Sequence, residues 1–169
     1  MFSAAASPSL RWRFVHMPAE THGSVPHRST YDGLEFIFDG WWLADPVATY
    51  DAGGWGAVET TLSRARRRFG YEASTPPSAA FAVASGLARV GRLNVAVELV
   101  ADLDADRYPF PRRWFERVVG RLDERGDADG AVAARLAQLA RFPDDAAARA
   151  DLVARGVTPP GPPAAADDG

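Results

Sequence analysis

Three histidines, a glutamate and a serine fall within a short stretch near the N-terminus: His16, Glu20, His22, Ser24 and His27. An imidazole titrates near neutrality, so it can take a proton from a hydroxyl and return it to a leaving group. His22 lies in Glu20-Thr21-His22-Gly23-Ser24-Val25, where Gly23, Ser24 and Pro26 make an irregular turn that can present a side chain. His22 is therefore the candidate catalytic residue, as a general base. His16, Glu20, His22 and His27 also invite a metal reading, but their spacings fit neither a zincin helix nor a finger pattern. No metal and no cofactor is expected. The glycine-rich Asp51-Ala52-Gly53-Gly54-Trp55-Gly56 lacks the lysine of a phosphate-cradling loop and follows no strand. Arg64, Arg66, Arg67 and Arg68 read as the solvated face of a helix, with no interleaved aromatics to suggest a nucleic-acid site.

The elements that must position His22 follow from periodicity. Leu10, Trp12 and Phe14 alternate with Arg11 and Arg13, which predicts a β-strand ended by Pro18. The turn then runs from Ala19 to Arg28. Ser29 or Thr30 is the expected cap of a helix reaching Phe38, with Tyr31, Leu34, Ile37 and Phe38 as its apolar stripe and Asp39-Gly40 as its stop. A lone strand leaves two unpaired edges, and nothing later in the chain reads as a strand to join it.

This strand, histidine turn and helix resemble the C-terminal end of the α/β-hydrolase superfamily, in particular bacterial esterases similar to siderophore esterases. The matching residues are Glu20, His22, Ser24 and Val25, then Tyr31, Gly33, Leu34, Phe36, Ile37 and Phe38. The resemblance covers about residues 9 to 43 and implies that His22 descends from the general base of a serine–acid–histidine set, in which histidine comes last along the chain. The nucleophile elbow Gly-x-Ser-x-Gly occurs nowhere in the sequence, so the set is incomplete and the chain is expected to be inactive alone. An upstream hydrolase polypeptide would have to supply the serine and the acid.

Behind this piece, Trp41 to Pro46 reads as an extended, packed segment. A helix is expected from about Gly56 to Phe69, with Val58, Leu62, Ala65 and Phe69 on one face. A repeat follows: Phe81 and Phe115, Tyr108 and Phe142, and Pro109 and Pro143 are each 34 residues apart. Each unit reads as two helices, with turns at Gly91-Arg92 and around Gly126. A final helix is expected near Asp144 to Ala154. Helix pairs of this length, with small residues at the contact and a closing proline, resemble the tetratricopeptide repeat. Some hydrolases of the same esterase group carry such repeats after their last hydrolase helix, joined by a segment like Arg68-Phe69-Gly70-Tyr71 and a proline at Pro76 or Pro77.

The formal net charge of −3 argues against broad nucleic-acid affinity, and the absence of cysteine excludes disulfides and thiolate chemistry. No apolar run approaches the roughly 20 residues that cross a bilayer, so a soluble cytoplasmic chain with no membrane association is expected. The expected fold is mostly α. Residues 1–45 form a C-terminal piece of an α/β-hydrolase domain, 46–75 a connector with an arginine-rich helix, 76–156 tetratricopeptide-like antiparallel helix pairs, and 157–169 a disordered tail. The expected function is that of the C-terminal segment of a serine carboxylic-ester hydrolase. The alternative is a non-enzymatic interaction module, its helical repeats holding a protein or peptide partner.

Overall fold

A computed structural model describes residues 13–38, 42–68, 70 and 75–161. Leu10 and Trp12 of the expected strand, the Asp39-Gly40 stop, Trp41, Phe69, Tyr71 and most of the expected tail (162–169) lie outside the described residues. The described chain is mostly helical, with eight helices and no strand among those residues. It divides into two compact units, Met1–Asp39 and Gly40–Gly169. Among the described residues no helix is long and apolar enough to cross a membrane.

In the first unit the expected strand does not form over its described part. Residues 13–17 have no regular secondary structure. A strand is held by the N–H and C=O groups of a neighbour, and no second strand exists among the described residues to offer them. Helix α1, Val25–Phe38, begins four residues before the expected Ser29 cap. Pro26 fits its first turn, where a missing N–H costs nothing and a fixed φ favours the helix. Ser29 and Thr30 do not cap it. Their hydroxyls donate back to the Pro26 carbonyl at 3.2 and 2.7 Å. The turn before it is closed by Thr21, whose carbonyl accepts from the amides of Ser24 and Val25 at 3.0 and 2.9 Å. No residue of α1 is buried, and Tyr31 and Leu34 of its apolar stripe are exposed.

The second unit opens with a helix that periodicity did not announce. Helix α2, Pro46–Asp51, stands where the extended segment was expected to end. Asp45 caps it, accepting from the Ala48 amide at 2.9 Å, and Pro46 takes the first helical position. Helix α3, Gly54–Arg68, buries Val58, Leu62 and Ala65 as expected. It also buries Arg66, whose guanidinium donates to the hydroxyls of Ser63 and Thr75 at 3.0 and 3.4 Å. One member of the expected solvated arginine face therefore points inward, while Arg64 and Arg67 are exposed.

Two hairpins follow: α4 (Pro77–Arg89) with α5 (Leu93–Asp102), and α6 (Arg112–Glu124) with α7 (Ala128–Arg141). Each first helix ends the same way. The Arg92 amide donates to Leu87 O and the Asp127 amide to Leu122 O, both at 2.9 Å, across Gly91 and Gly126. Their φ values of 89° and 70° are reached without strain only by glycine. Burial sets the register between the first helices: Ala79, Ala80, Val83, Ala84 and Leu87 match Trp114, Phe115, Val118, Val119 and Leu122, each 35 positions on. Phe115 is thus the counterpart of buried Ala80 and not of Phe81, which is 36% exposed. The 34-residue step reappears at the starts of α6 and the last helix, where Pro111 and Asp145 are the N-caps.

Helices α4 and α6 pack on their hairpin partners, α5 also packs on α7, and α2 on α4. Aromatic rings bind the stack: Phe110 meets Trp114 at 5.2 Å, Trp114 meets Phe115 at 5.0 Å, and Phe115 meets Phe142 at 6.4 Å, all edge-on. Such contacts each add roughly 1 kcal/mol beyond burial. Helix α8, Ala146–Ala154, closes the unit on α7 through Leu139, Ala148 and Leu152.

Arginines join each hairpin to the one before it. The Arg121 guanidinium donates to Ala88 O at 2.6 Å and that of Arg125 to Gly91 O at 2.6 Å, both near the end of α4. Arg141 donates to Leu103 O and Tyr108 O at 2.8 Å and also to Val100 O. The last carbonyls of a helix have no partner within it and carry partial negative charge, so a guanidinium is well matched there.

Candidate functional site

His22 lies in the turn ahead of α1, exposed to solvent. Among the described residues no hydrogen bond joins it to a serine or a carboxylate. Ser24, the nearest hydroxyl-bearing neighbour after it, is engaged within the turn, its Oγ accepting from the Thr21 amide at 2.9 Å. A shallow cavity nearby is lined by His16, Glu20, Arg28 and Asp32, without His22. Arg28 and Asp32 form an ion pair at 3.3 Å one turn apart on α1. Among the described residues no group of three or more histidine, cysteine, aspartate or glutamate side chains could hold a metal ion. The structure thus presents His22 in an exposed turn, and among the described residues His16, Glu20, His22 and His27 form no such group.

The second unit holds a different concavity. Between α4 and α6 runs a groove of about 240 Å³ lined by Ser85, Ala88 and Arg89 on one side and Trp114, Arg117, Val118 and Arg121 on the other. The small side chains of Ser85 and Ala88 leave the space; Trp114 and Val118 give it an apolar floor. Arg89 and Arg117 are exposed, and Arg121 is half-buried through its bond to the end of α4. Arg117 Nε donates to Arg113 O of its own helix at 3.3 Å. The Ser85 hydroxyl has no hydrogen-bond partner.

No carboxylate lines this groove. Elsewhere in the unit some arginines meet carboxylates, while Arg125, Arg141 and Arg149 bond carbonyls. Arg155 grips both Asp123 oxygens at 2.8 Å and pairs with Asp151, which also accepts from Arg135 at 2.7 Å. Arg155 holds the Asp123 carboxyl below its usual range. Burial pulls Asp151 upward, but bonds from Arg135 and Arg155 outweigh it and leave its carboxyl lowered too. Arg92 pairs with Asp51, and Arg112 with Asp144 and Asp145.

The groove arginines lie outside the arginine run from Arg64 to Arg68. A signal was there: Arg113, Arg117, Arg121 and Arg125 recur at every fourth position, one ridge of α6. What the sequence does not supply is Arg89 opposite that ridge, which depends on how α4 and α6 lie together.

No protein-family model matches the chain, and neither does any curated protein or solved structure.

Proposed function

We propose that the second unit is a binding module of tetratricopeptide-like type, whose stacked hairpins hold a partner peptide in the groove between their first helices. The observation that carries this reading is the repetition of α4–α5 in α6–α7 with the same burial pattern and the same glycine turn. A stack of this kind covers one side of each first helix and leaves the other side open, which is where an extended peptide can lie. Immobilised full-length chain is expected to enrich members of a random-peptide library. Recovery no greater than from bare resin would contradict the module.

A second reading concerns the first unit, and a specific observation favours it. His22 stands exposed in the turn that leads directly into α1, and α1 buries none of its own apolar stripe. That is how the histidine corner of a serine ester hydrolase would look apart from the sheet it belongs to. In this reading His22 is the general base, and the serine and acid come from an upstream hydrolase polypeptide. The sequence has no Gly-x-Ser-x-Gly, so carboxylic esters should not be turned over by this chain alone. Hydrolysis of p-nitrophenyl acetate by the chain and by His22→Ala should be equal. A clear excess in the unsubstituted chain would show a catalytic set that this reading lacks.

A further inference from the structure

Three guanidinium groups share one small groove with no carboxylate among its lining residues. Arg89 and Arg117 take part in no ion pair among the described residues, and Arg121 bonds only a carbonyl there. Glu124, one turn beyond Arg121 on α6, makes no ion pair with it. Like charges drawn together without a counter-charge raise the local potential, and an anionic ligand would lower it. Guanidinium suits carboxylates in particular, because its planar fork can meet both oxygens at once. The floor beneath is apolar, formed by Trp114, Val118 and Ala88.

From this juxtaposition we infer that the α4–α6 groove takes an acidic peptide segment. Its carboxylates lie against Arg89, Arg117 and Arg121. The inference rests on the reading of the second unit as a peptide-binding module and names the chemistry of its partner. A peptide fits better than a nucleic acid. The chain carries a net charge of −3, and nucleic-acid binding needs an extended positive track. Trp114, the aromatic of the floor, is only 3% exposed and offers no open face for a base to stack on.

The test uses the full chain and the same random-peptide library, now read for composition. Enriched peptides should carry net negative charge, and their binding should weaken with added salt. The Arg89→Gln/Arg117→Gln double variant should lose affinity by about tenfold or more. Its helical circular dichroism should not change, since neither side chain bonds another helix. Arg64→Gln, removing one charge from α3, should bind as the unsubstituted chain does. Enrichment of neutral or basic peptides, or undiminished binding by the double variant, would overturn the acidic partner and leave the module standing. Tighter binding of polyuridylate than of the selected peptides would also overturn it. No enrichment at all would overturn both.

Discussion

Asp145 combines three roles in one buried carboxylate. It caps α8 by accepting from the Ala148 amide at 3.1 Å, takes the Gln138 amide at 2.8 Å, and pairs with Arg112 at 3.7 Å. Burial raises its pKa, but the bonds from Ala148, Gln138 and Arg112 win and hold it below the ordinary 3.8. Asp145→Ala removes the cap and strands a buried Gln138, so it should cost about 2–3 kcal/mol in urea denaturation. Asp145→Asn keeps one oxygen, enough to cap the Ala148 amide but not to serve Gln138 as well, and should recover part of that loss. Asp123, Asp145 and Asp151 share the depressed sense. A carboxyl whose folded pKa lies below its unfolded value contributes stability above that unfolded value and loses it as pH falls through the folded one. Urea midpoints should therefore hold steady above about pH 5 and fall steadily below about pH 4. A midpoint that rises on acidification would contradict the pairing described. At this scale the sequence was legible for type and spacing. His22 stood out for both, yet its exposure and lack of a serine or carboxylate partner depend on the turn's three-dimensional course. Arg66 shares the spacing of its solvated neighbours, and only the return of the chain at Thr75 turns it inward.

The helices were legible wherever an apolar stripe and a turn coincided, as in α4 to α8. Misreadings fell where local chemistry outranks periodicity. A proline read as part of an irregular turn, Pro26, lies in the first turn of α1, and the Asp45-Pro46 pair starts α2. Over residues 13–17 the expected strand does not form, because alternation specifies a face but does not provide a neighbouring strand. The 35-residue register of α4 and α6 was hidden by the coincidence that Phe81 and Phe115 share a type and a 34-residue spacing. Packing between elements gives two predictions. A Cβ on Gly86 would come within 2.8 Å of Val47 Cγ2, so α2 and α4 approach there as closely as glycine permits. Gly86→Ala should destabilise by about 1–2 kcal/mol, the clash outweighing alanine's better helix propensity. In a Val47→Ala background the sign should reverse, to a gain of roughly 0.5–1 kcal/mol. Arg141 joins α7 to the end of α5 through three carbonyls. Arg141→Ala should cost about 2 kcal/mol, and lysine should restore little, because one ammonium lacks the guanidinium fork that reaches all three.

At the scale of the whole molecule, one core running from Leu43 to Ala137 among the described residues holds α2 to α7 of the second unit together. The proposed functions follow the division into units: a histidine turn in one, and a basic groove between stacked hairpins in the other. The first was prominent in the sequence because its motif is contiguous. The second was not, because Arg89 and Arg117 are brought together only by packing of α4 on α6's side of the stack. The most direct measurement compares peptide binding by the full chain with that by residues 42–161 alone. The shorter chain should melt cooperatively and bind the selected acidic peptides within about threefold of the full chain. A folded shorter chain that no longer binds them would place the binding surface elsewhere and contradict the account.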